Sequence, residues 1–291
     1  MVASVEAVTG FTESRSLMDF WRRYRRNRLA VAGLFLVLAL SLVALLAPLL
    51  APYDPMSTSL DSLQPPGTSR HPLGTDDLGR DILSGVIWGT RVSLLVGVTA
   101  AATAVLIGII LGAVAGYYGG YTDAVIMRLT ELFQTIPRFV LALVVVALFG
   151  RGLAKLVLVI GLLAWPQAAR LVRGQFLSQK SLPYVDAARA LGLPGWRIIF
   201  SEILPNVLAP VIVLASLDVA QAILLEASLG FFGLGDPNVV SWGGMLNHAQ
   251  GYLRTAWWMS VFPGLGIALA VLGFNLVGDG LNDAINPRLH E

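Results

Sequence analysis

Apolar and polar positions alternate in long blocks along this chain, the pattern of a protein that crosses a membrane as helices. Leu29–Leu50 runs 22 residues without a charge, enough for a ~30 Å hydrocarbon core, and is the first predicted span. The basic flank before it and its own length argue against a cleaved signal peptide. Val92–Gly116 is the second span, with Gly108, Gly112 and Gly116 at four-residue spacing as a flat strip for a neighbouring helix. A third helix, Thr122–Phe149, follows the tight turn Tyr117–Asp123. It holds Arg128, Glu131 and Arg138 in its first half and is purely apolar only over Phe139–Phe149. Its first two turns therefore read as cytoplasmic or interfacial, with Pro137 as a bend. A fourth span begins at Leu156–Ala169 and ends at Arg170 and Arg173. Val207–Leu229 is the fifth, interrupted by Asp218 and Glu226. Trp257–Val277 is the sixth, anchored by Trp257 and Trp258, with Asp279 and Asp283 following in a tail. The expected fold is all-α, with six transmembrane helices.

The segments between the spans carry other signals. Residues 1–16 show no core pattern. Leu17, Phe20, Trp21 and Tyr24 then recur at helical spacing, with Arg22, Arg23, Arg25 and Arg26 on the other face. That predicts an interfacial helix on anionic membrane lipid, or equally an orientation signal. Residues 51–90 form an extended loop rich in proline and glycine. Within it Thr75, followed by Asp76 and Asp77, reads as a helix N-cap. Capping and pairing with Arg80 outweigh a cation site at Asp76, Asp77 and Asp81. Residues 230–256 form a loop rich in glycine and aromatics.

Composition agrees with this reading. Hydrophobic residues make up 56% and charged residues 13%, about half of what a soluble domain carries. The near balance of 20 basic against 18 acidic residues offers nothing for nucleic acid. The absence of cysteine excludes disulfides and thiolate chemistry, and the three histidines stand too far apart in sequence for a helical metal pair. Counting Lys and Arg by side gives 13 on the side of both termini and 6 on the other, which places both termini in the cytoplasm.

The same count puts Ser181–Pro205 in the cytoplasm. Pro183 suits an early helix position, Tyr184–Leu191 is amphipathic, and Gly192 with Pro194 stops the helix. Trp196–Pro205 reads as the return into the fifth span. A short helix across a membrane face is a place for another protein to push. The only lysines, Lys155 and Lys180, follow Ala154 and Gln179, so there is no P-loop, and any ATPase must be a separate subunit. Asp218 lies about 12 residues into its span, roughly 18 Å along the axis. A carboxylate there costs about 2.5–3.5 kcal/mol and should face a cavity or a partner. With Gln221 and Glu226 it forms a candidate polar lining for a translocation path. The alternatives are a helix–helix hydrogen bond, a pair with an arginine such as Arg91, or a proton relay. No catalytic or metal residue is expected.

Asp186, Ala187 and Ala188, with Gly192 four residues on, resemble the "EAA" signature loop of ABC importer membrane subunits, with aspartate in place of the first glutamate. His71–Gly97, Glu226–Gly235 with Ser241–Leu246, and Phe274–Leu289 resemble three further segments of the second permease subunit of dipeptide, oligopeptide and nickel importers. The resemblance covers nearly the whole chain. It implies a type I ABC importer permease fold: a cytoplasmic N-terminal segment 1–28, a first span 29–50, an extracytoplasmic loop 51–90, a five-helix transmembrane domain 91–281, and a cytoplasmic tail 282–291. It also implies a homologous second permease, two ATP-binding subunits that hold ATP and Mg, and a solute-binding protein outside a bacterial or archaeal plasma membrane. Tyr184, Val185, Asp186, Ala187, Ala188, Arg189, Ala190, Leu191 and Gly192 would form the ATPase-coupling helix. Peptide is the expected solute, nickel or a nickel chelate the alternative within the family. An ion-coupled secondary transporter using Asp218 and Glu226 is the alternative from another class.

Overall fold

The computed structural model describes residues 18–285 of the 291-residue chain; residues 1–17, with Leu17, and the last six lie outside it. The described residues are helical apart from turns and the long loop. Residues 18–26 form α1. α2 (Arg28–Leu45) follows, capped by Asn27, whose Oδ1 accepts the N–H groups of Leu29 and Ala30. The Nδ2 of Asn27 donates to Asp283 Oδ2 at 2.9 Å. Tyr24 is buried beside Ala30 and Ala284 and donates its hydroxyl to Ala30 O at 3.0 Å. The aromatic stripe of α1 is thus split. Tyr24 locks into the bundle while Trp21 and the arginines stay exposed. These contacts bring both ends of the described chain to one end of the bundle, called the terminal end below.

After a short α3 (Ala47–Leu50), the chain forms the long loop and enters α4 (Ile82–Tyr118), 37 residues or about 55 Å. The start of α4 corrects one expectation. Asp81, not Thr75, is the N-cap, its carboxylate accepting the Ser84 N–H and hydroxyl at 2.7 Å. Thr75 instead ties the loop together, donating to Asp61 O and accepting the Gln64 N–H. The loop closes too tightly at Gly74 and Gly79, both at positive φ, for the helix to begin there. No salt bridge joins Arg80 to the loop acids among the described residues, and Asp76 accepts its backbone N–H instead.

α5 (Gly120–Thr135) and α6 (Arg138–Phe149) meet at 84°, so the third span is broken rather than gently bent. Pro137 has no N–H to give the helix and forces Ile136 into an extended conformation, φ −97° and ψ 131°. α7 (Leu153–Gln179) continues past Arg170 and Arg173, because Arg173 ion-pairs with Asp123 of α5 and so remains in the helix. α8 (Pro183–Ala190) lies across the terminal end. α9 (Gly195–Arg197) leads through a π-helical turn, Ile198–Ile203, into α10 (Leu204–Phe231). α11 (Trp242–Ala249) precedes α12 (Trp258–Ile285), which contains Asp279 and Asp283 rather than leaving them in a tail. Among the described residues, five helical runs are long and apolar enough to cross a membrane, and the broken pair makes six when counted as one.

α4 and α7 form the tightest seam. A Cβ at Gly108, Gly112 or Gly116 would collide with Ala168, Ala169 or Phe176 of α7, so the glycine strip is what lets the two backbones touch.

Candidate functional site

Two places on this scaffold are built differently from ordinary helix packing. The first is α8. Pro183 occupies its first turn with fixed φ, Asp186 sits near its N-terminus and Arg189 near its C-terminus, each complementing the helix dipole. The helix ends in a Schellman motif: Gly192 N–H donates to Arg189 O at 2.9 Å and Leu193 N–H to Ala188 O at 3.2 Å. Gly192 has φ +76°, where a side chain is strained.

The inner face of α8 is clamped. Val185 and Ala188 are buried with Phe176 of α7 and Ile198, Ile199 and Ile203 of the following turn. Tyr184 donates its hydroxyl to Gln179 Oε1 at 3.0 Å, Lys180 Nζ donates to Gly116 O at 2.9 Å, and the Arg189 guanidinium lies 5.7 Å from the Tyr117 ring centroid. These bonds fasten α8 and its approach to the ends of α4 and α7. The outer face presents Asp186, Ala187, Ala190, Leu191 and Gly192, with Leu191 82% exposed. Small alanines beside a fully exposed leucine make a surface that another backbone can approach closely. The exposed Asp186–Arg189 pair, 2.9 Å apart, adds only a few tenths of a kcal/mol.

The second place is the break at Ile136–Pro137. Phe133 packs edge-on against Trp165, and Arg138 Nη2 donates to Gln167 Oε1 at 3.0 Å, so the break lies level with the middle of α7. Leu141 N–H is the first to find a helical acceptor in α6, at Pro137 O. The amides of Arg138, Phe139 and Val140 therefore have none. Opened backbone at membrane depth is tolerated where it lines a cavity, and one is present here. It has a volume of about 280 Å³, and its lining includes Arg138, Phe139, Asp218, Gln221 and Ser228. Asp218 is buried, and its Oδ2 has no hydrogen-bond partner.

The three residues expected on the path are not all brought together. Asp218 and Gln221 share the cavity. Glu226 is set apart, fully buried with its Oε2 accepting the Ser93 hydroxyl at 3.0 Å, a contact between α10 and α4. Arg91 pairs with neither acid and lies over Trp88 at 5.6 Å. The basic residue beside Asp218 is Arg138, which sequence reasoning left unassigned inside the third helix. Its position next to a proline in an otherwise apolar run was the available signal.

At the far end of the bundle a larger cavity of about 380 Å³ separates the long loop from α11 and the loop before it. Asp236 pins that wall. It accepts the N–H groups of Asn238 and Leu153, which hold its carboxyl below the usual range. Burial pushes the Asp76 carboxyl up, although it accepts the N–H groups of Leu78 and Arg80. Among the described residues no group of acids and histidines is arranged to hold a metal ion.

A multi-span helical bundle that fastens a short exposed helix at one end and opens a polar cavity at a broken span has the build of a membrane permease. Comparison with known proteins is specific. Residues 104–291 match the family described as binding-protein-dependent transport system inner membrane component, and the chain belongs to that family. Residues 16–66 match the N-terminal transmembrane domain of oligopeptide transport permease C. The dipeptide transport system permease protein DppC of Escherichia coli is 46% identical, over 94% of each chain. The di/tripeptide transport system permease of Pseudomonas aeruginosa is 41% identical over 94% of this chain and 92% of its own. The glutathione transport system permease of Pectobacterium atrosepticum is 40% identical over 99% and 97%. The inward-facing MetNI methionine ABC transporter shares the fold, with a TM-score of 0.55 and 20% identity over 70% of this chain and 98% of that one. The protein is a multi-pass membrane permease subunit of the ABC importer type. The ion-coupled alternative is not favoured by these relatives.

Proposed function

We propose that this chain forms one half of the membrane path of an ATP-driven importer for di- and oligopeptides, with α8 as the helix on which an ATPase subunit pushes. A homologous permease supplies the other half, two ATP-binding subunits sit against the terminal end on the cytoplasmic side, and a solute-binding protein delivers peptide from outside. The peptide class follows from relatives that carry dipeptides, di/tripeptides and glutathione. The observation that supports coupling is the contrast between the two faces of α8, one bolted to α4 and α7 and the other bare. A short capped helix held in this way transmits a push to two spans as a lever, which a loop does not.

The test uses the whole transporter in proteoliposomes with binding protein and dialanine. Ala187→Arg places a long charged side chain on the bare face without touching the clamped one. Uptake should fall at least tenfold while the membrane subunits still co-purify. Gly192→Val, which strains the helix stop by about 1–2 kcal/mol, should do the same. Uptake within twofold of wild type in both variants would overturn the coupling role.

A further inference from the structure

We infer that the cavity at the broken third span binds the two charged ends of a short peptide, Asp218 receiving the ammonium group and Arg138, with the free amides at the start of α6, receiving the carboxylate. The inference rests on the peptide reading above and adds a site to it.

Three independent features meet in this cavity. A buried carboxylate with an oxygen that bonds to nothing is costly unless something completes it. Arg138 shares the cavity but forms no ion pair with Asp218, its guanidinium being drawn instead to Gln167. Two opposite charges thus face one space without neutralising each other. The third feature is the break itself. Arg138 and Phe139, the first two residues of α6, line the cavity and carry amides with no helical acceptor. A helix N-terminus favours an anion, and a guanidinium beside it offers a fork that matches a carboxylate. A zwitterion with its ammonium on Asp218 and its carboxylate at Arg138 completes all three. The cavity volume of about 280 Å³ is at the low end for small-molecule sites, which suits a dipeptide.

The chain has no cysteine, so Ser228→Cys, on the cavity wall, places its one thiol there. The hydroxyl it replaces bonds only to its own helix, at Leu224 O. In the intact complex without binding protein, dialanine should slow maleimide labelling of that thiol at least threefold, read on this chain alone. N-acetyl-dialanine amide, which has neither charged end, should not slow it. Asp218→Asn or Arg138→Gln in the same background should remove the protection. Asp218→Asn alone should cut dialanine uptake at least tenfold while ATP turnover stimulated by loaded binding protein stays within twofold, and Asp218→Glu should restore uptake. Equal protection by the two compounds, or none, would overturn the site. So would an Asp218→Asn defect that extends to ATP turnover and is not rescued by glutamate, because that is the signature of a structural group. A wild-type complex that fails to import dialanine would refute the peptide reading instead. Uptake by wild type with an unprotected thiol would refute only the site.

Discussion

Asp218 and Glu226 are two turns apart on α10, both acids and both buried, and the structure treats them in opposite ways. Glu226 meets α4 and receives the Ser93 hydroxyl, with Ser241 close by, so its polarity is consumed in joining helices. Asp218 faces an opening with an oxygen that bonds to nothing. In a membrane, where no water is at hand to satisfy a stray acceptor, the first arrangement belongs to architecture. The second needs something else to bind. α8 shows the same division on a smaller scale, since its inner face is fully engaged and its outer face is not.

The strongest way to break this contrast is Glu226→Ala. It would leave the Ser93 hydroxyl without its partner and open a void, at a cost of about 3 kcal/mol. The expected result is a clearly lower unfolding temperature of the detergent-solubilised complex; an unchanged midpoint would show that Glu226 is no more structural than Asp218. Asp218→Leu should act in the other direction. Removing an unsatisfied buried acceptor should leave stability unchanged or raise it by about 1–2 kcal/mol, while dialanine uptake is lost. A drop in stability matching that of Glu226→Ala would erase the distinction.

The smallest effects concern two acids at the far end, which repeat the comparison outside the membrane. The Asp236 carboxyl titrates low because it accepts the backbone N–H groups of Asn238 and Leu153, so its stabilisation is present above about pH 4 and lost as pH falls below that. Asp76 titrates high because burial outweighs its bonds, so its contribution is best when protonated and declines as pH rises above about 4. Asp236→Asn should flatten the acid-side fall in unfolding midpoint, and Asp76→Asn should flatten a decline toward neutrality. Unfolding scans from about pH 3 to 7 read both slopes, and identical slopes in the two variants would refute the assignment.

Much of the fold is legible in run lengths. An uninterrupted stretch such as Leu29–Leu50 has one stable place, and the Gly108, Gly112 and Gly116 strip announces a close helix contact. Boundaries set by remote contacts are less legible. Arg173 looks like the end of a span until Asp123, fifty residues away in sequence, is seen to hold it in the helix. Thr75 looks like a cap until the loop closes over it. Pro137 announces a bend, but not a break of 84°.

For the candidate site, the sequence by itself determined that a charged residue in an apolar run must have a purpose, because its burial cost depends only on the bilayer. It also determined that Tyr184–Gly192 would form a stopped amphipathic helix, because Pro183, the apolar spacing and Gly192 act within a few residues of one another. The tertiary structure alone decided which acid is satisfied. That depends on Ser93, 133 residues from Glu226, and on Arg138, 80 residues from Asp218; no local pattern links either pair, and partners so distant meet only through the way the helices stack.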